Sequence, residues 1–149
     1  METRLYYMVE DDYDISSLYV TKEPWLESLR YNLDTSVEYE DLSQEESDEV
    51  YQKAEENTIN ELLEVNGFYY SVQEIKIAYQ NNNLIVRYND ADNSVMFYTL
   101  DAEEKRYDVQ EEDTIYSADE VRDKLQKFIT DKYFDIDKLD KDIKKLMEK

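Results

Sequence analysis

The sequence predicts an α+β fold in which an antiparallel sheet of about five strands carries about four helices on one face. Three observations lead there. Short segments rich in tyrosine and β-branched residues recur between turns rich in Asn and Asp. Two serine-led starts are each followed by an apolar stripe at helical spacing. One glycine and one proline in 149 residues leave no flexible linker, so residues 1–149 are expected to form a single acidic domain.

The elements follow in order. Thr3 to Val9 reads as a strand, Glu10-Asp11-Asp12-Tyr13-Asp14 as a turn, and Ser17 to Thr21 as the returning strand of a hairpin. Lys22-Glu23-Pro24-Trp25 opens a short helix, because proline fits a first turn whose N–H groups lack intrahelical partners. Trp25, Leu26, Leu29 and Leu33 then fall at helical spacing. Ser43 with Glu46 three residues later makes a capping box. Val50, Tyr51, Ala54, Thr58, Ile59, Leu62 and Leu63 continue on one helical face. Asn66-Gly67 reads as a helix stop, and the prediction is one helix over 44–65.

A β-rich block follows. Phe68–Ala78, Leu84–Tyr88 and Val95–Leu100 read as strands joined by turns at Asn81-Asn82-Asn83 and at 89–93. Arg106–Val109 and Thr114–Tyr116 are expected as short edge pieces, the whole forming an antiparallel meander. Ser117-Ala118-Asp119-Glu120 is a second capping box opening a helix through Val121, Leu125, Phe128 and Ile129 to about Tyr133. Asp137–Met147 closes the chain with Leu139, Ile143 and Leu146 on one side.

Composition excludes several chemistries. There is no cysteine and no histidine, which removes disulfides, thiolate metal sites, a cysteine nucleophile and the commonest general base. A single glycine precludes phosphate loops and dinucleotide fingerprints, which need several. The first ten residues carry no signal-peptide pattern, and no stretch reaches the ~18 apolar residues of a membrane span. The expected location is the cytoplasm of a bacterial host cell. Fifteen tyrosines and scarce glycine and proline argue for a folded chain despite its charge.

Each remaining site pattern has a plainer explanation. Asp90, Asp92, Ser94 and Asp101 stand near positions 1, 3, 5 and 12 of a calcium loop, but Val95 occupies the glycine position. A hairpin turn accounts for them. Glu74-Ile75-Lys76 matches half of a metal-dependent nuclease site, yet 67–73 holds no acid to complete it. An acid pair of glycosidase type is not recognisable by spacing where acids are this abundant. Tyrosine platforms for single-stranded nucleic acid need a basic groove, and the field here has the opposite sign. The expectation is a non-enzymatic protein with no cofactor and no metal.

The acids themselves are the remaining signal. Net charge is −21, of which −15 lies in residues 1–66, −6 in 67–118 and none in 119–149. A magnitude of about 2–8 suffices for the solubility of a small domain, so the excess points to a positively charged partner. The expected partner-binding residues are Glu10, Asp11, Asp12 and Asp14 in the first turn, Glu38, Glu40 and Asp41 before the capping box, and Glu45, Asp48, Glu49 and Glu56 beyond it. Glu64 belongs to the same predicted helix, and Glu103, Glu104, Glu111, Glu112 and Asp113 form a possible second patch. Helix positions four apart are about 6 Å apart along the axis. Phosphates along one nucleic-acid strand repeat at a comparable distance, roughly 6–7 Å. Tyr13, Tyr39 and Tyr51 are candidate aromatic contacts beside these acids.

In size, charge and lack of cysteine, histidine and catalytic motifs, the chain resembles the DNA-mimic inhibitors of bacteriophages and mobile elements, the anti-restriction and anti-CRISPR proteins among them. That resemblance is one of composition over residues 1–118 and carries no motif. It implies a basic DNA-binding protein as partner, a nuclease or defence effector occluded by a DNA-like carboxylate surface. An immunity protein that neutralises a toxic nuclease fits the same charge. The contrasting expectation is an assembly or structural subunit whose acidity serves solubility and whose C-terminal helices self-associate.

Overall fold

The computed structural model describes residues 1–11, 14–56 and 61–148. They comprise seven strands and four α-helices: β1 (Glu2–Asp11), β2 (Asp14–Tyr19), α1 (Lys22–Glu38), α2 (Gln44–Glu55), β3 (Leu62–Val65), β4 (Phe68–Gln80), β5 (Leu84–Asn89), β6 (Ser94–Glu103), β7 (Arg106–Ile115), α3 (Val121–Phe128) and α4 (Ile136–Met147). The mixed α/β class and the four helices match expectation. The sheet does not stop at about five strands. Its order is β1-β2-β7-β6-β5-β4-β3, and a further β1–β4 pairing closes six strands into a barrel-type circuit. No helix among the described residues is long and apolar enough to cross a membrane.

Two local misreadings account for the extra strands. The predicted helix over 44–65 ends at Glu55, and Leu62–Val65 is strand β3. Thr58 and Ile59, placed on that helix by their spacing, lie outside the described residues. Asn66 (φ 51°) and Gly67 (φ 80°) both adopt left-handed backbone, and Val65 pairs with Phe68 across them. That is a two-residue hairpin turn of the type that Asn-Gly favours, so the dipeptide reverses a strand and does not end a helix. The burial of β3 alternates accordingly, with Leu63 and Val65 inward and Leu62 and Glu64 outward. Similarly, the two expected edge pieces at 106–109 and 114–116 are one ten-residue strand, β7.

The chain divides into two compact units. The first comprises 1–4, 75–101 and 110–149. Its core joins Leu84, Val86 and Tyr88 of β5 and Val95 and Phe97 of β6 to Val121 and Leu125 of α3 and Leu139, Ile143 and Met147 of α4. The β5–β6 hairpin turns through Asn89–Asn93, where the Asn89 side chain accepts from the Ala91 N–H and Asp92 accepts from Ser94. Asp90 pairs with Lys76 at 3.1 Å. Asp90 and Asp92 of the calcium-like run therefore belong to a hairpin turn with both carboxylates engaged, Lys76 of the nuclease-like triplet being one of their partners. Asp101 lies exposed on β6. α3 stops at Phe128, short of the expected Tyr133, because Ile129 turns to extended backbone. Ser117 accepts from the Asp119 N–H and caps a 3₁₀ turn, so a full capping box is absent there.

The second unit comprises 5–74 and 102–109. α1 is longer than expected at 17 residues and buries Trp25, Leu29 and Leu33, spaced four apart, against Val9, Tyr19, Tyr70 and Val72. Each such side chain contributes roughly 1.5–3 kcal/mol on leaving water. Trp25 is fully buried, and its indole N–H donates to the Met8 carbonyl at 3.2 Å. Asn66 donates to Ser36, Ser36 to the Asn32 carbonyl, and the Asn32 amide to the Tyr70 hydroxyl, so the polar groups beneath α1 are satisfied in series. α2 starts at the expected capping box: the Ser43 hydroxyl accepts from the Glu46 N–H, and the Glu46 carboxylate accepts from the Ser43 N–H, both at 3.1 Å.

Candidate functional site

The charge imbalance along the sequence carries over to the two units. The unit of 5–74 and 102–109 holds 22 acidic and 5 basic side chains, a net of −17. The other holds 16 and 12, a net of −4. With five cations for 22 acids, most carboxylates of the first group have no ion-pair partner available.

Helix α1 displays the consequence. Its buried stripe leaves Glu23, Glu27, Tyr31, Asp34 and Glu38 together on the opposite, exposed face. From first to last they span about 22 Å at the helical rise. Asp34 pairs with Arg30 at 3.5 Å, whereas Glu23, Glu27 and Glu38 have no ion-pair partner among the described residues. Tyr31 is 75% exposed. Sequence reading missed this stripe except for Glu38. The signal was present, since 23, 27, 31, 34 and 38 are the positions opposite Trp25, Leu29 and Leu33.

At the end of α1 the expected acids Glu38, Glu40 and Asp41 are all exposed, with Glu40 in left-handed backbone at φ 63°. No basic residue occupies the last turn. The helix dipole places partial negative charge there, so these carboxylates sit in an unfavourable field. At the start of α2, Glu45 and Glu46 stand where the same field is favourable, and Glu46 is part of the cap. Asp48 accepts from Gln44 and lies 3.7 Å from Arg30, and Glu49 is 3.7 Å from Lys53. Glu56 follows the helix end, exposed. The α1–α2 corner thus holds Glu38, Glu40, Asp41 and Glu45; Asp48 and Glu49 follow along α2 with partners of their own, and Glu56 stands at the far end of that helix.

The β1–β2 hairpin is a second support. Asp11 and Asp14 face each other across it and are exposed, Glu10 is half-buried, and Asp12 lies outside the described residues. The possible second patch does not form one group. Glu103 and Glu104 belong to the acidic unit, while Glu111, Glu112 and Asp113 belong to the other and are engaged by Thr114, Thr99 and Lys124. Glu64 is on strand β3, not on a helix. Among the candidate aromatics, Tyr39 is 72% exposed, Tyr51 is half-buried beneath the Arg30 guanidinium at 4.9 Å, and Tyr13 lies outside the described residues.

Arg106, like Arg30, pairs with two acids. It binds Glu103 at 2.9 Å and Asp108 at 3.2 Å, and Asp108 in particular holds its guanidinium pKa above the ordinary value. In the other unit the apolar side of α4 is already covered: Leu139 and Ile143 lie in the core and Leu146 packs against it. The stripe expected to drive self-association is thus spent on folding. Among the described residues no three acidic side chains are grouped to hold a metal ion. No family model matches the chain, and no match is found among curated proteins or solved structures.

Proposed function

We propose that this protein binds a basic DNA-binding enzyme, a nuclease or defence effector, and inhibits it by presenting a DNA-like carboxylate surface. One observation carries the reading: unpaired acids accumulate at the exposed face and C-terminal end of α1, where they cost stability. Like charges four apart on a helix repel, and acids at a helix C-terminus oppose its dipole. Solubility alone needs neither arrangement. The α1 carboxylates stand four, seven and four residues apart, and the two four-residue gaps, about 6 Å each, suit the Lys and Arg spacing of a DNA-binding channel. Binding of this kind is steered over long range, so association is fast at low salt and falls as ionic strength rises.

The test is affinity capture from a host lysate, eluted by a salt gradient with and without competing DNA. A DNA-binding protein released at moderate salt and displaced by DNA supports the reading. A captured protein indifferent to both salt and DNA overturns it, leaving the acidity to serve solubility in an assembly subunit.

A further inference from the structure

The acidic unit contains an open groove of about 480 Å³ between Pro24–Tyr31 of α1 and the β6–β7 turn. Glu27, Tyr31 and Glu104 line it, with Lys105 and the paired Arg106 on the turn side. Glu103 is already committed to Arg106. Glu27 and Glu104 have no ion-pair partner among the described residues, and neither the ring nor the hydroxyl of Tyr31 has a partner there. The two free carboxylates exceed the single free cation, Lys105, by one charge.

One position earlier on the same helix, the protein shows how this combination is used. Arg30 lies over the Tyr51 ring at 4.9 Å and is flanked by Asp34 at 3.5 Å and Asp48 at 3.7 Å. A guanidinium on a tyrosine face with two carboxylates beside it gains both cation–π attraction and ion pairing. The groove repeats the tyrosine and the two carboxylates, and its own arginine, Arg106, is taken up by Glu103 and Asp108.

We propose that the groove receives an arginine side chain of the partner protein, laid on the Tyr31 ring and paired with Glu27 and Glu104. This deepens the proposed function by naming one contact of the basic partner, and it rests on that reading. Arginine is the side chain selected, because its flat guanidinium stacks on a ring while the lysine ammonium is a compact, strongly hydrated point charge.

The discriminating probe is a pair of short peptides, pentalysine and the same peptide with a central arginine, titrated against the full chain at low salt. Both bind the acidic unit by charge, and the arginine peptide binds about threefold tighter. Tyr31→Leu abolishes that advantage, leaving pentalysine affinity nearly unchanged, while Tyr39→Leu, at an exposed tyrosine outside the groove, retains it. Circular dichroism confirms folding of both variants, whose side chains are on the surface. Equal affinity of the two peptides for the unmodified protein, or an advantage that survives Tyr31→Leu, overturns the arginine site. Neither result touches the wider reading, which the DNA-competed capture decides separately.

Discussion

Both units pack two helices onto strands with cores of similar make-up, yet they treat their charges in opposite ways. In the α3–α4 unit acids are matched locally: Asp137 by Arg122, Asp113 by Lys124, Asp140 by Lys144 and Asp90 by Lys76. In the α1–α2 unit Arg30 and Arg106 each serve two acids and Lys53 serves one, while Lys22 donates to the Glu55 carbonyl and Lys105 has no carboxylate partner among the described residues. A fold of this size is evidently compatible with local matching. The surplus on one unit is therefore separable from what the architecture needs, and it is the place to look for selection by a partner.

The largest effects concern what the two units share. Trp25→Ala in the acidic unit costs about 4 kcal/mol, the usual loss for a buried aromatic. Ile143→Ala in the other unit costs about 3 kcal/mol, both read as shifts of a urea midpoint. An Ile143 variant of unaltered stability would place that side chain at a surface and restore the self-association reading. Next comes the difference between units. Reversing Glu27, Glu38 and Asp41 to lysine lowers capture of the basic partner at least about tenfold, since each exposed pair lost is worth up to ~1 kcal/mol. Reversing Glu112, Asp119 and Glu120 in the balanced unit leaves capture within about twofold, because acids there are matched by cations of their own unit.

Smaller changes sharpen the same contrast. Ser43→Ala removes the α2 cap and costs about 1 kcal/mol by thermal unfolding. Glu38→Gln, by contrast, stabilises by about 0.5 kcal/mol while weakening partner capture, because it relieves the clash with the α1 dipole. A Glu38→Gln protein that is both less stable and fully competent in capture contradicts the functional assignment of that carboxylate.

The smallest effect concerns the balanced unit and pH. Hydrogen bonding to Lys124 holds the Asp113 carboxyl below its ordinary range and, reciprocally, holds the Lys124 ammonium above its own. The carboxyl's stabilisation is present above the ordinary aspartate pKa and is lost as pH falls through the lowered folded value. That of Lys124 is present below the ordinary lysine pKa and is lost as pH rises through the raised folded value. Lys124→Met therefore lowers Tm at neutral pH and brings it towards the parent's at both extremes. A uniform Tm loss across the whole range would assign Lys124 a packing role instead.

How much of this was legible depended on whether the signal was local. The Ser43–Glu46 box and the Trp25–Leu29–Leu33 stripe are contained within one helix, and both were read correctly. Leu62–Val65 was misread because four residues with two leucines suit either period, and the arbiter was the Asn66-Gly67 turn, whose meaning depends on a strand following it. β7 was split in two because its interior, Gln110-Glu111-Glu112-Asp113, is poor in strand formers. It is held as a strand by its neighbours in the sheet. The runs of acids at 10–14 and 38–41 were visible in sequence. The stripe at Glu23, Glu27, Tyr31 and Asp34 was masked because attention to runs of acids overlooks acids spaced by a helix.

One consequence of the strand circuit concerns what happens when the acids are neutralised. A highly charged protein resists aggregation by mutual repulsion, and a partner that covers its carboxylates removes that protection. Exposed sheet margins then become sites for cross-chain pairing. Here the circuit returns β1 to β4, and among the described residues β3 is the only strand of the order with a single pairing partner. It is four residues long and carries an outward Glu64. Resistance to strand addition is thus built into the backbone and does not depend on the protein's charge.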